Sequence, residues 1–261
     1  MKKFLTTALA VAALAGCSKD KTTNDVAPSA SVVTQDAQDC NGGTIQAGQY
    51  FMMNDNWGSS KAGSGSQCIY FNNINDWGAN ASHTNTSTGI KSYPAVVYGC
   101  HWGGCSSGTA LPKKISSLGN VHTWWTQSSS GSAYDAAYDI WFDPSANPGN
   151  RAATYELMIW LQWSNTKPIA NSYDASGNAI PFATNVPLAG KNWNVYRRGN
   201  VFSFLPTAQT SWVSIDVKPI IDYCVNKGWM ANSNYMTSVQ AGWEIIAGGT
   251  FKTTSYGVSG I

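Results

Sequence analysis

The chain has 261 residues, of which 11% are charged and 12% aromatic, with 12 Trp, 12 Tyr and a formal net charge of +2. This length holds one large all-β domain or two small ones, and the absence of a basic stripe argues against nucleic acid as a partner. So much indole among so little charge suits a neutral polar ligand such as a sugar; the alternative is that Trp and Tyr fill a core, as about half of them are expected to.

The N-terminus carries Lys2 and Lys3, then an apolar run from Phe4 to Ala15, the parts of a secretory signal over residues 1–16. The run is too short to span a membrane as a mature helix. Its loss would bring the formal charge from +2 to 0, since it contains two lysines. Leu14-Ala15-Gly16-Cys17 resembles the lipobox of bacterial lipoproteins, which implies cleavage before Cys17 and a diacylglyceryl anchor on its thiol. The alternative is ordinary cleavage beside an incidental cysteine. Ser18-Lys19-Asp20-Lys21 resembles a surface-export signal of some bacterial lipoproteins. The implied location is the cell envelope, with the outer surface favoured by that second signal. Residues 17–38 lack aromatics and read as the lipidated cysteine and a flexible tether. From Cys40 the aromatics continue to Tyr256 without a composition break, so residues 39–261 read as one domain. A monomer is expected.

Five cysteines remain in that domain, and an exported protein is expected to pair some of them. Cys100 and Cys105 enclose a short glycine-containing loop, and Cys40 with Cys68 would tie the first strand region to the next. Cys224 lies in a helical pattern and reads as a buried free thiol. Sequence does not fix connectivity. Zinc on Cys100, His101 and Cys105 is the weaker reading, because no second ligand pair follows at a zinc-site spacing. No metal or organic cofactor is expected. His83 and His122 are isolated.

Short strands separated by Gly, Asn, Ser and Pro clusters are predicted over 49–53, 66–71, 95–98, 121–127, 136–142, 154–162, 191–198, 201–204 and 239–247, the pattern of a sandwich or barrel. One segment differs. Ile215, Pro219, Ile220, Ile221, Cys224 and Val225 recur at helical spacing, with Asp216 as the expected N-cap and Gly228 as the stop.

The chain has only two glutamates, Glu156 and Glu244, both inside apolar, aromatic strands. Glutamate has therefore not been used to solubilise the surface, and two isolated copies point to chemistry. Paired carboxylates across a cleft are the working parts of most glycoside hydrolases; the alternative is two ordinary strand glutamates facing solvent. Strand alternation puts Glu156, Met158, Trp160 and Gln162 on one face, Gln240, Gly242, Glu244 and Ile246 on one face, and Ala137, Asp139 and Trp141 on one face. Three strands can thus present Glu156, Glu244 and Asp139 on one concave, Trp-lined surface.

Several segments, taken in order, resemble glycoside hydrolase family 12 across nearly the whole domain. Asn56-Trp57-Gly58 is similar to the loop whose Trp stacks on a sugar. Ser92-Tyr93-Pro94-Ala95 followed by Gly99-Cys100-His101-Trp102-Gly103 resembles the bacterial branch. Residues 136–142 resemble the strand whose Asp lies beside the nucleophile, residues 156–161 the nucleophile strand, and Gly242-Trp243-Glu244 the acid/base strand. Family 11 xylanases share the architecture but carry a different aromatic pattern on the nucleophile strand. One departure is Asn54-Asp55-Asn56-Trp57, where Asp55 stands at a position expected to hold a sugar-contacting Asn.

The resemblance implies a β-jelly roll of two antiparallel sheets with one helix, the concave sheet forming an open groove for a β-glucan chain. It implies endo-acting hydrolysis of β-1,4-glucosidic bonds with retention, on cellulose-type glucans or alternatively on xyloglucan or mixed-linkage glucan. Glu156 would be the nucleophile, Glu244 the acid/base and Asp139 the residue assisting Glu156. Trp57, Asn54, Asp55, Trp124, Trp125, Met158 and Trp160 are the candidate substrate-binding residues. A reading of another class is a surface glycan-binding lipoprotein without catalysis, which would need no carboxylate pair.

Overall fold

The computed structural model describes residues 37–84 and 86–261. The signal segment, Cys17, the export-signal residues and the tether up to residue 36 lie outside the described residues. In chain order the strands are β1 Ala37–Asp39, β2 Thr44–Ala47, β3 Tyr50–Met53, β4 Gln67–Asn73, β5 Asp76–Ala81, β6 Ala95–His101, β7 Gly104–Cys105, β8 Lys113–Lys114, β9 His122–Ser129, β10 Ala133–Asp143, β11 Tyr155–Ser164, β12 Ala183–Leu188, β13 Lys191–Arg198, β14 Val201–Pro206, β15 Trp212–Asp216, β16 Tyr235–Ala247 and β17 Gly249–Ser259. One α-helix, α1 Lys218–Asn226, lies between β15 and β16.

These strands form two sheets. The smaller has the order β1-β4-β5-β17-β9-β15; the larger has the order β12-β13-β14-β11-β10-β16-β6-β3-β2, with β7 on β6 and β8 on β16. The expected tether ends sooner than residue 38, because Ala37 and Gln38 already pair with Phe71 and Tyr70 of β4. One pair departs from the antiparallel expectation: β14 runs parallel to β11, since the hairpin chain through β12 and β13 returns alongside it.

The core follows strand alternation. On the inner face of the larger sheet Tyr134, Ala136, Tyr138, Ile140 and Phe142 of β10 meet Leu157, Ile159 and Leu161 of β11 and Val239, Ala241, Trp243 and Ile245 of β16. Three indoles join the two sheets. Trp77 of β5 and Trp125 of β9 stack with centroids 6.1 Å apart, and Trp243 of β16 meets each edge-on at 5.3 Å. Edge-to-face and offset-stacked geometries are those the aromatic quadrupole favours. The indole N–H groups are satisfied inside: Trp125 Nε1 donates to Thr253 Oγ1 at 2.8 Å, and Trp243 Nε1 to Gln127 Oε1 at 3.2 Å.

Alternation misplaces one residue. The β10–β11 register shifts between Ala136 and Ala137, whose partners are Gln162 and Trp160, so Leu161 is the extra residue of a bulge. A one-residue bulge flips every later side chain to the other face. Gln162 therefore points between the sheets, where its Oε1 accepts from Gln127 Nε2 at 3.0 Å, and not into the groove.

The helix begins one residue later than the Asp216 cap requires. Val217 holds the N-cap position, and Asp216 Oδ1 accepts from the Val121 and Lys218 amides at 2.9 and 3.0 Å, tying the helix start to β9. Ile220, Ile221 and Cys224 are its buried face, Cys224 is a free thiol, and Gly228 turns the chain out at φ 69°. The other domain cysteines are joined as Cys40–Cys68 and Cys100–Cys105, so neither Cys100 nor Cys105 is available as a thiolate ligand.

Candidate active site

Strand β10 is the axis of the site. β11 pairs on one side of it and β16 on the other, placing Glu156 opposite Trp141 and Glu244 opposite Asp135, with Asp139 between Met158 and Gln240. Of these side chains, Glu156, Trp141, Glu244, Asp139 and Gln240 line the concave groove, whereas Asp135 and Met158 are buried and do not. A groove of about 430 Å³ is lined by Asp139, Glu156 and Glu244, together with Asp55, Trp57, Tyr93, His101, Trp102, Trp141 and Gln240. A second depression of about 320 Å³ continues from Asp55, His101 and Trp102 toward Phe51, Met53 and Gly42. The result is elongated and open, the shape of a site for a chain.

The wall opposite β11 is built by the segment ahead of β6. Ser92 bridges to Ile245, and the Trp243 amide donates to Pro94 O at 3.3 Å. Gly242 permits this approach: a Cβ there would stand 2.3 Å from Pro94 O. The approach lowers Tyr93 into the floor, where its hydroxyl donates to Ala137 O at 3.2 Å.

Burial raises both glutamates above the usual carboxylate range, and the Glu244 charge adds to the effect at Glu156. Asp139 lies within hydrogen-bond reach of Glu156, and Asp135 within reach of Glu244. Burial holds both aspartates well above 3.8, with repulsion from the glutamates as the next cause. Four carboxyl groups this close cannot all ionise, so the groove keeps protons at neutral pH. Lys61 opposes part of the rise at Glu244. On the rim, burial lifts Asp55 to about 6 and lowers His101 to about 4, leaving that imidazole neutral.

The candidate binding residues divide. Trp57 is 56% exposed on the rim, with Lys61 Nζ 4.1 Å from its ring centroid and bonded to Ile90 O at 2.6 Å. Asp55 lines the groove as expected. Asn54 does not: it is fully buried, donating to Asp39 and accepting from Gln67 Nε2 at 2.7 Å. It anchors the turn that presents Asp55 and Trp57. Met158 and Trp160 share the concave face with Glu156 but are 5% and 2% exposed, packed with Ala137 and Leu205 beneath the half-buried Trp163 and Tyr196. Trp125 is in the core, and Trp124 lies on the outer face of the smaller sheet across Gly257. Neither is near the groove, because β9 belongs to the sheet that backs the site.

Sequence reasoning put Trp141 and Gln240 on the concave face without giving them a role, and it missed the groove residues His101 and Trp102 and the buried Asp135 opposite Glu244. The signal for Asp135 was present: it shares parity with Ala137, Asp139 and Trp141, and the predicted strand began one residue too late. His101 and Trp102 sit on the hairpin closed by Cys100–Cys105, and His101 packs 5.5 Å from Trp141.

A family model described as Glycosyl hydrolase family 12 matches residues 48–259. Endoglucanase S of Pectobacterium parmentieri is 31% identical over 213 residues, covering 77% of this chain and 77% of that protein. Xyloglucan-specific endo-beta-1,4-glucanase A of Emericella nidulans is 32% identical over 245 residues, covering 88% and 94%. Among solved structures, a metagenome-derived family 12 endoglucanase superposes with a TM-score of 0.77 at 30% identity, covering 87% of this chain and 98% of that one. The native family 12 xyloglucanase from Bacillus licheniformis gives 0.75 at 31%, covering 85% and 99%. A second model, Prokaryotic membrane lipoprotein lipid attachment site, matches residues 1–18, the mark of an exported protein held in the cell envelope by lipid. With a jelly-roll groove that gathers two glutamates and two aspartates, the chain belongs to glycosyl hydrolase family 12 and is a glycoside hydrolase of the endoglucanase type.

Proposed function

We propose that this endo-β-1,4-glucanase is a retaining enzyme that cleaves internal bonds of cellulose-type β-glucans by double displacement, with residues 37–261 as the catalytic domain. The observation that carries the reading is the placement of Glu156 and Glu244 on the two strands flanking β10, both facing one groove. In a retaining pair one carboxylate attacks the anomeric carbon while the other protonates the leaving oxygen. Glu156, ionised and hydrogen-bonded by the Asp139 carboxyl, forms the bond to C1 as the C1–O bond breaks. Glu244 gives its proton to the departing oxygen. Like charges this close disfavour ionising both carboxyls; once Glu156 is esterified its charge is gone, and Glu244 can take a proton from water as the water oxygen bonds to C1 and the C1–O bond to Glu156 breaks, which releases the sugar.

Trp57 offers a stacking face at one end of the groove. Trp141 and Gln240 line the groove, and their buried Nε1 and Oε1 atoms, without a hydrogen-bond partner among the described residues, are the donor and acceptor best placed to meet sugar hydroxyls once substrate displaces the side chains around them. Lipidation at Cys17 and a tether through residue 36 would hold a monomeric enzyme off the membrane, on the outer surface where polysaccharide is encountered. Xyloglucan is the second reading for the substrate, favoured by the names of the Emericella nidulans and Bacillus licheniformis relatives.

The test is reducing-sugar release by the detergent-solubilised full chain from a soluble cellulose derivative, xyloglucan, mixed-linkage glucan and xylan. Release from a glucan with retained anomeric configuration, absent in Glu156→Ala, is expected. Inverted product, or near-normal turnover by that variant, would overturn the assignment.

A further inference from the structure

The mechanism above uses Glu156, Glu244 and Asp139 and leaves a fourth carboxyl unexplained. Asp135 is fully buried on β10, directly opposite Glu244 in the β10–β16 ladder. Among the described residues no N–H or hydroxyl donor reaches either of its oxygens. The ion pairs among the described residues are Arg151–Asp143, Lys218–Asp222 and Lys252–Asp76, so no cation neutralises it. The group within hydrogen-bond reach is the Glu244 carboxyl. Two acceptor-only carboxylates in this arrangement would repel, and a buried acceptor with no donor is costly. A proton between them resolves both problems. Asp135, with no exposed surface, holds that proton more firmly than Glu244, which opens onto the groove.

We propose that Asp135 is a positioning residue that stays protonated through the reaction cycle and donates its hydrogen bond to Glu244, thereby setting the strength of Glu244 as an acid. This rests on the assignment of Glu244 as acid/base. The form competent to protonate a leaving group then carries two protons on the pair, the Glu244 hydroxyl facing the substrate and the Asp135 hydroxyl facing Glu244. Transfer of the Glu244 proton leaves a carboxylate that already accepts a short, charge-assisted bond from Asp135. Water later returns a proton to Glu244, and Asp135 never exchanges its own. The other groups facing the pair are Asp139 on β10, Glu156 on β11, Tyr93 ahead of β6, and Asp55 and Lys61 in the segment between β3 and β4, with His101 of β6 in the same groove.

The experiment compares wild type with Asp135→Asn and Asp135→Leu in the detergent-solubilised full chain. The first readout needs no turnover. Difference infrared spectroscopy at pH 7, wild type minus Asp135→Asn, should show a carboxylic-acid C=O band; its absence overturns the proposal. The second is the pH profile of kcat/KM on the preferred glucan, whose limbs report the free enzyme's acid and base. An amide donor stabilises the Glu244 carboxylate less than a carboxylic acid does. Asp135→Asn should therefore raise the alkaline limb by roughly 0.5–1 pH unit and leave the acid limb in place. Asp135→Leu removes the donor, and its kcat should fall by on the order of 10²-fold on polysaccharide but much less on an aryl glucoside with an activated leaving group. An alkaline limb that is unmoved or falls, or equal losses on both substrates, would overturn the role. Should Asp135→Leu fail to fold, Asp135→Asn still decides. Wild type that is inactive on every glucan while the infrared band is present would remove the catalytic assignment and leave the shared proton standing.

Discussion

Asp55 stands where an Asn was expected, and its environment gives the exchange Asp55→Asn a calculable effect. Its backbone sits at φ 30°, in the left-handed region that Asn and Asp tolerate better than other side chains, so the substitution should fit without strain. Burial raises its carboxyl from 3.8 to about 6. An acid whose folded value lies above its unfolded value binds its proton more tightly when folded. Its contribution to stability is intact below about pH 4 and is lost as the pH climbs through about 6. The full difference corresponds to about 3 kcal/mol, trimmed to ~2–3 kcal/mol by solvent at the groove rim. Asn cannot ionise and escapes the loss. Thermal melts at pH 4 and pH 8 provide the assay: the variant and wild type should coincide at pH 4, and at pH 8 the variant should melt roughly 5–10 °C higher for a domain of this size. Equal melting differences at the two pH values, or none at either, would refute the reasoning. The same exchange removes a negative charge that raises Glu244 and Asp139, so the alkaline limb of activity should move down.

Glu156→Ala should abolish glucan hydrolysis, and added azide should restore turnover with inverted product, read by anomer-resolved NMR, because the anion substitutes for the missing nucleophile. Glu244→Ala should lose polysaccharide activity by about 10²–10⁴-fold yet retain much of its turnover on aryl glycosides that leave without a proton. Trp57→Ala should raise KM at unchanged melting temperature, whereas Trp125→Ala should lose about 3–5 kcal/mol of stability through its core cavity, measured by denaturant unfolding. Gly257→Ala places a Cβ 2.1 Å from the Trp124 ring and should destabilise by about 1–3 kcal/mol without altering KM.

The chain itself determined the fold class, the two glutamates of the groove and the strand that lies between them. Alternating apolar and polar residues with glycine-rich breaks can bury one face only as sheets, and two glutamates embedded in such strands had few structural uses. Parity along β10 likewise put Asp139 beside them. What parity does not contain is which sheet a strand joins. Trp124 and Trp125 look identical to groove tryptophans in sequence, yet β9 pairs with β17 and β15 in the sheet behind the site. Nor does parity survive a bulge, which is why Gln162 left the groove at Leu161. Asn54 sits one residue from a groove position, and only long-range bonds to Asp39 and Gln67 turn it inward. Asp135 shows the division most clearly. Its place on the concave face was written in the alternation of its strand. Its isolation from every donor among the described residues came from the packing of β16 and the Tyr93 segment around it, contacts that join residues 44 positions apart or more and have no local signature.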